Sequence, residues 1–253
     1  MNVGLRNAVL SALALPFFAQ GALAQTEEEL RQAFSGAWFA FEDSYSDGNG
    51  PCRIYLSNES VSDDGTLLLK GATEGCAAPL TEEISWRVES GKILLETSSG
   101  QQVAALGGNP QRLSGDYVRP PNALVLERQS GSGAKADLTA AIKLHGCYYL
   151  GFTQDCAEPS ATEAPAFEDG LARIKVLVNL NARSQPRRDA QVIGTIPAES
   201  EVTVNACLTT SDGIWCRAQF NEANGWMAKS AMRAGEWPVI TFVNAPMAEQ
   251  TDD

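Results

Sequence analysis

The chain has one histidine, His145, in 253 residues, and that scarcity excludes most imidazole chemistry. With no second histidine and an even set of six cysteines, neither a Cys-His dyad nor a histidine-rich zinc site can be assembled. A Ser-His-Asp set would have to recruit His145 itself, and no nucleophile-elbow or phosphate-loop motif accompanies it. The acidic pairs Asp63-Asp64 and Glu82-Glu83 lie in turn-like stretches, where adjacent carboxylates are ordinarily solvated surface. These absences point to a protein that binds rather than catalyses, with no catalytic residues, no cofactor and no metal.

Long apolar runs are also missing, except at the start. Arg6 is followed by the apolar run Ala8 to Phe18 and the small-residue triplet Ala22-Leu23-Ala24, the layout of a cleavable secretory signal. A membrane-spanning helix needs about 20 apolar residues; this run is shorter and contains Pro16. Cleavage after Ala24 would leave Gln25 first, with no cysteine there to carry a lipid. The expectation is an exported, periplasmic chain with no membrane insertion once the signal is removed. Basic residues are few as well. Removing Arg6 with the signal leaves 18 of the 19 basic residues against 31 acidic ones, a net charge of −13, which disfavours nucleic acid and anionic lipid as partners.

What is present is cysteine in an exported chain, which reads as disulfides. Cys52, Cys76, Cys147, Cys156, Cys207 and Cys216 leave the connectivity open, with neighbours in sequence the simplest pairing. A turn at Thr210-Ser211-Asp212-Gly213 would set Cys207 and Cys216 opposite each other on adjacent strands, within disulfide reach.

Thr26 lies three residues before Glu29 in an acidic stretch, a capping-box pattern that predicts a short helix over 26–34. From Gly36 to Arg128 the chain breaks into short β-type runs: Gly36–Phe41, Cys52–Leu56, Thr66–Leu69, Ile84–Val88, Lys92–Glu96, Val103–Leu106, Leu113–Val118 and Ala123–Arg128. Cys52, Ile54 and Leu56 alternate with Arg53 and Tyr55, and Ile84, Trp86 and Val88 with Ser85 and Arg87. Eight such runs joined by tight turns suggest a closed up-and-down barrel.

The elements Gly36-Ala37-Trp38-Phe39, Cys52-Arg53-Ile54-Tyr55-Leu56, Gly75-Cys76, Ile84-Ser85-Trp86-Arg87-Val88 and Leu124-Val125-Leu126-Glu127-Arg128 together resemble the bacterial alkaline-protease inhibitors of the Inh type, over nearly all of 32–128. The resemblance implies an eight-stranded, lipocalin-like barrel with one disulfide, here Cys52 with Cys76. Trp38 and Trp86 read as barrel core. Inhibitors of that family place their mature N-terminal segment in the cleft of a secreted zinc metalloprotease, the terminal amine near the metal. Transferred here, the segment is Gln25–Ala33, with Gln25, Thr26, Glu27, Glu28 and Glu29 as protease-binding residues. The chain departs from the family in having an acidic, helix-favouring segment and an N-terminal Gln25 that can cyclise.

A Gly/Ser-rich stretch, 129–133, opens a spacer that runs through a helical turn or two at Leu138–Leu144 and the loop between Cys147 and Cys156. Beyond it, Lys175–Arg183, Val192–Ile196, Glu201–Ala206, Trp215–Phe220 and Gly225–Met227 form a second set of strands. There Leu180-Asn181-Ala182-Arg183-Ser184-Gln185-Pro186, Val192-Ile193-Gly194-Thr195-Ile196-Pro197, Trp215 and Gly225-Trp226-Met227 resemble the bacterial SH3 family. That resemblance implies a small barrel binding cell-wall peptide or an envelope protein, with Asn181, Arg183, Trp215 and Trp226 as ligand-binding residues. A second reading stays open, in which Asn181 shapes a turn and both tryptophans are core.

The expected fold is therefore all-β, an eight-stranded barrel plus a small SH3-like barrel joined by a disulfide-containing linker. The division is 1–24 signal, 25–128 inhibitor-like barrel, 129–170 linker, 171–235 SH3 domain and 236–253 a fraying tail. The expected function is adaptor-like, inhibiting a secreted metalloprotease, with a non-inhibitory envelope scaffold as the alternative.

Overall fold

The structure, a computed structural model, describes residues 26–48, 50–61, 67–80, 83–118, 122–128, 133–220 and 223–246. The expected signal, Gln25 and the last residues of the tail lie outside them.

Helix α1 (Glu27–Phe34) starts where the capping box places it: the Thr26 hydroxyl accepts from the Glu29 amide at 3.2 Å, and the Glu29 carboxylate accepts from the Thr26 amide at 2.8 Å. Three glutamates in its first turn complement the helix dipole. Ser35 ends it, and the chain enters a closed antiparallel barrel of eight strands, β1 (Gly36–Ala40), β2 (Cys52–Ser60), β3 (Leu69–Glu74), β4 (Ile84–Glu89), β5 (Lys92–Thr97), β6 (Gln102–Asn109), β7 (Arg112–Tyr117) and β8 (Ala123–Glu127). β8 returns to β1 through Phe39 opposite Glu127.

Period-two burial drives the barrel. On β2, Cys52, Ile54 and Leu56 are buried while Tyr55 is exposed; Trp38, Trp86, Leu95, Leu106 and Leu113 join them in the core. Cys52 is bonded to Cys76. β3 starts three residues later than the expected Thr66–Leu69 run and ends five later, because its pairing uses small residues the apolar pattern does not mark. Gly71 sits opposite Leu56, and a Cβ there would fall 2.6 Å from the Ile84 side chain. Gly115 on β7 is similarly required, since a Cβ would lie 1.9 Å from the Ala105 carbonyl oxygen of β6.

The described part of the segment expected as a linker, from residue 133 on, packs against strands of the second module. Helix α2 (Gly133–His145) is longer than the one or two turns expected; Leu138 and Ala141 are buried, and the helix packs on β18 (Trp237–Ile240). β9 (Tyr149–Leu150) pairs in parallel with β18, and Cys147 is bonded to Cys156. Three sheets make up the module. β10 (Ala172–Val176) lies between β13 (Glu201–Val204) and β19 (Phe242–Ala245). A five-stranded sheet runs β12 (Val192–Ile196), β11 (Leu180–Arg183), β16 (Ala223–Ala228), β15 (Gly213–Phe220) and β14 (Ala206–Thr210). β17 (Ser230–Arg233) completes the third sheet with β18 and β9. Cys207 and Cys216 are register partners on β14 and β15 and are bonded.

Two expectations are corrected here. The run Lys175–Arg183 is not one strand but β10 and β11, broken around Asn179, whose side chain accepts from the Ala198 amide at 3.0 Å. The start of the expected tail does not fray: β18 and β19 are strands, and Phe242 is fully buried. Burying Val239, Ile240 and Phe242 repays the ordering of this segment.

One buried charge stands out in this module. Lys229 is 1% exposed, with its Nζ donating to the Asn244 side chain at 2.9 Å and 4.9 Å over the Phe242 ring. Burial pushes its pKa down to about 8, partly opposed by Glu163. The folded value lies below the ordinary one, so between about pH 8 and pH 10.5 the unfolded chain holds more protons and stability rises with pH. Lys229→Met should raise stability at pH 7 by about 1–3 kcal/mol and abolish that alkaline rise. Urea denaturation at pH 7 and pH 10 checks both.

Candidate functional site

Two surfaces are candidates: the α1 end of the first barrel and a pocket on the second module. At the α1 end, the Trp38 indole donates to the Phe34 carbonyl at 2.8 Å, and the two rings lie 6.3 Å apart. Arg128 stacks on Trp38 at 4.0 Å and donates to the carbonyls of Ala33 and Ser35, both at 2.9 Å, and of Ala37 at 3.2 Å. One guanidinium thus satisfies carbonyls that the helix end leaves without partners. Phe34 is buried and Leu30 packs on the same core. Thr26, Glu27, Glu28 and Glu29 are exposed but held in the capped first turn, and Glu28 is paired with Arg31.

The two modules meet across a face that the sequence does not mark as an interface. Register places Arg112 of β7 opposite Glu127 of β8, on the face turned away from the Leu113 and Leu126 side of these strands. Such residues would be solvated on a lone barrel, yet the side chains of Arg112 and Glu127 are 5% and 3% exposed. The turn after β14 covers them. The Arg112 guanidinium binds the Glu127 carboxylate, the Pro186 carbonyl and, at 2.6 Å, Asp212. Glu127 in turn accepts from the Ser211 amide and hydroxyl, each at 2.6 Å. Asp212, 1% exposed, also pairs with Arg188 at 2.8 Å and accepts from the Trp215 indole at 3.2 Å. Burial pushes the Asp212 carboxyl up, but Arg112 and Arg188 outweigh it and hold it below its usual value. Arg217 pairs with Asp116 across the same boundary. The sequence does carry one signal: Ala123-Leu124-Val125-Leu126 is apolar on both faces, and all of β8 is buried, as a strand covered on two sides must be.

This interface accounts for the tryptophans. Trp215 and Trp226 are 1% and 4% exposed and belong to a core cluster shared with the first barrel. Asn181, Arg183 and Trp215 come together at a pocket of about 270 Å³. Trp226 does not join them; it lies with Asp116 and Arg217 at the boundary between modules. Arg188 and Arg233 also line the Asn181 pocket but carry no signal in the sequence, because neither belongs to the quoted motif elements. His145 is packed against Tyr149 and Trp237, with ring centroids 5.7 and 4.5 Å away, and its buried Nε2 has no hydrogen-bond partner among the described residues.

Comparison with known families now decides the assignment. Residues 28–128 match the protease inhibitor Inh family, and residues 178–232 match the bacterial SH3 domain. The chain carries an Inh domain and, after it, a bacterial SH3 domain. The Inh match begins at residue 28, inside α1. No curated protein matches the chain. Among solved structures, the antimicrobial peptidase lysostaphin from Staphylococcus simulans is similar at 12% identity, covering 82% of this chain and 94% of that one, with a TM-score of 0.25; at that score the likeness carries no argument. The Inh domain points to protease inhibition rather than to catalysis, and the SH3 domain to cell-wall or protein binding. No helix among the described residues is long and apolar enough to cross a membrane.

Proposed function

We propose that this chain is an exported periplasmic adaptor whose Inh domain engages a secreted zinc metalloprotease, while its SH3 domain holds it to cell wall or to an envelope protein. The observation that carries this reading is the match of 28–128 to the protease inhibitor Inh family. The closed, side-chain-filled barrel supports it, because recognition is then left to the outer surface and the N-terminal end. The natural test is titration of a serralysin-type protease with mature protein beginning at Gln25. Activity should fall in proportion to added inhibitor, and full activity at large excess would reject the reading.

A second reading, an envelope scaffold without inhibitory activity, is favoured by the docking of α1. If Gln25 is the mature terminus, only it precedes the capped Thr26, so no free arm exists to enter a cleft unless α1 is released. Arg128→Ala removes the hydrogen bonds to Ala33, Ser35 and Ala37 while leaving Trp38 in the core. If inhibition needs a released segment, R128A inhibits more strongly than the parent; if neither inhibits, the scaffold reading stands.

A further inference from the structure

The SH3 pocket gathers positive charge in an otherwise acidic chain. Arg183, Arg188 and Arg233 line it together with Asn179, Asn181 and Trp215, and no Asp or Glu is among its lining residues. The side chains there are arranged to donate. Arg183 spends Nη1 on the Ala190 carbonyl at 2.8 Å, and Arg233 spends Nη1 on the Gly151 carbonyl at 3.4 Å; neither has a carboxylate partner among the described residues. Arg188 is tied to Asp212 through Nε at 2.8 Å, with Nη2 on the carbonyls of Asp212 and Ser230. A guanidinium has five N–H donors, so each keeps several for a ligand. The Asn179 and Asn181 side-chain oxygens already accept, from the Ala198 amide at 3.0 Å and the Thr195 hydroxyl at 3.4 Å, which leaves their NH₂ groups as further donors.

We infer that this pocket binds the carboxylate of a peptide, with Arg183 and Arg233 as its principal cationic partners. An acceptor-only group suits a wall made of donors, and a guanidinium fork matches a carboxylate in two parallel hydrogen bonds. At about 270 Å³ the pocket is at the small end for a whole ligand, and so takes a terminal or side-chain group with the rest of the peptide outside. The exposed Phe152 supplies apolar surface beside it. Burial, and secondarily the like charge of Arg188, lowers the pKa of Arg183, with Asp189 opposing them only in part; a bound anion would favour its charged form further. The inference rests on reading the SH3 domain as a recognition module and adds the group recognised.

The test uses the full mature chain and three probes: acetyl-Ala-Ala with a free carboxylate, its C-terminal amide, and inorganic phosphate, with binding followed by calorimetry and NMR shifts. The acid should bind at the Arg183 and Asn181 signals, the amide about tenfold or more weakly, and Arg183→Gln and Arg233→Gln should each weaken the acid by a similar factor. Arg233→Gln, on a different strand, serves if Arg183→Gln fails to fold. Equal binding of acid and amide, no acid binding, binding of phosphate alone, or both variants binding like the parent would overturn the assignment. Sedimentation with isolated cell wall and with envelope extract separates the two levels. Parent chain that sediments while acid and amide behave alike loses the pocket assignment but keeps the recognition reading, whereas a chain that neither sediments nor binds the acid loses both.

Discussion

Arg112→Ala is expected to cost about 3–5 kcal/mol, because it strips a buried cation from between two buried carboxylates. Glu127 would keep only Ser211, and Asp212 would depend on Arg188 and its neutral donors. The loss falls on the contact between the Inh and SH3 domains, so urea unfolding, expected as a single transition in the parent, should split into two. Limited proteolysis should open sites near Ser211. The sign of the pH effect is set by Asp212. In the parent its lowered pKa contributes stability that is present above the ordinary carboxylate range and lost as pH falls through the folded value. Removing Arg112 weakens that contribution, so the gap between variant and parent should hold down to the ordinary carboxylate value of 3.8 and narrow only as pH falls below it. The double variant Arg112→Met with Glu127→Leu should recover most of the loss, since Asp212 retains Arg188 and the other buried charges are gone. An R112A protein within 1 kcal/mol of the parent, still unfolding in one step, would show that the network does not hold the domains together in solution.

Trp38→Ala is expected to have an effect of similar size, about 3–5 kcal/mol, as a large aromatic removed from a packed core leaves a cavity that collapses only in part. Its local consequence is more informative than its cost. Trp38 both caps the carbonyl of Phe34 and provides the face on which Arg128 stacks, so its removal detaches α1. Amide exchange at 27–34 should accelerate far more than global destabilisation explains, and thermal unfolding should shift down by several degrees. If inhibition depends on a freed N-terminal segment, W38A and R128A will share a gain in protease inhibition although only the first is strongly destabilised. Unchanged protection of α1 in W38A would mean that Leu30 and Phe34 hold the helix without the indole.

These variants mark where local pattern stops being informative. The capping box at Thr26 and Glu29 is a local hydrogen-bond device and was legible as a helix start. Alternation on Cys52–Leu56 and Ile84–Val88 was legible as strands with one buried face, and eight such runs closed into a barrel. β3 is not legible at its observed bounds because Gly71 is required by the crowding of the Ile84 side chain, which no hydrophobic period records. The tail reads as fraying because Phe242 is buried by a core drawn from β10 and several other strands far away in sequence. At the SH3 pocket, Asn181, Arg183 and Trp215 were legible from motif order. Arg233 was not, because it arrives from β17, fifty residues beyond Arg183, and nothing in its own neighbourhood announces a ligand.

By itself the sequence determined the class of the molecule: acidic, with an even set of six cysteines and two sets of short β-type runs. These follow from composition, spacing and period, which are properties of the chain read along its length. Tertiary structure alone decided that α1 is fastened to the barrel by Trp38 and Arg128, that Arg112, Glu127 and Asp212 are buried between the domains, and that three arginines share one pocket. Each of those depends on groups distant in sequence, and whether a charge is solvated or buried is settled only by what another part of the chain places over it.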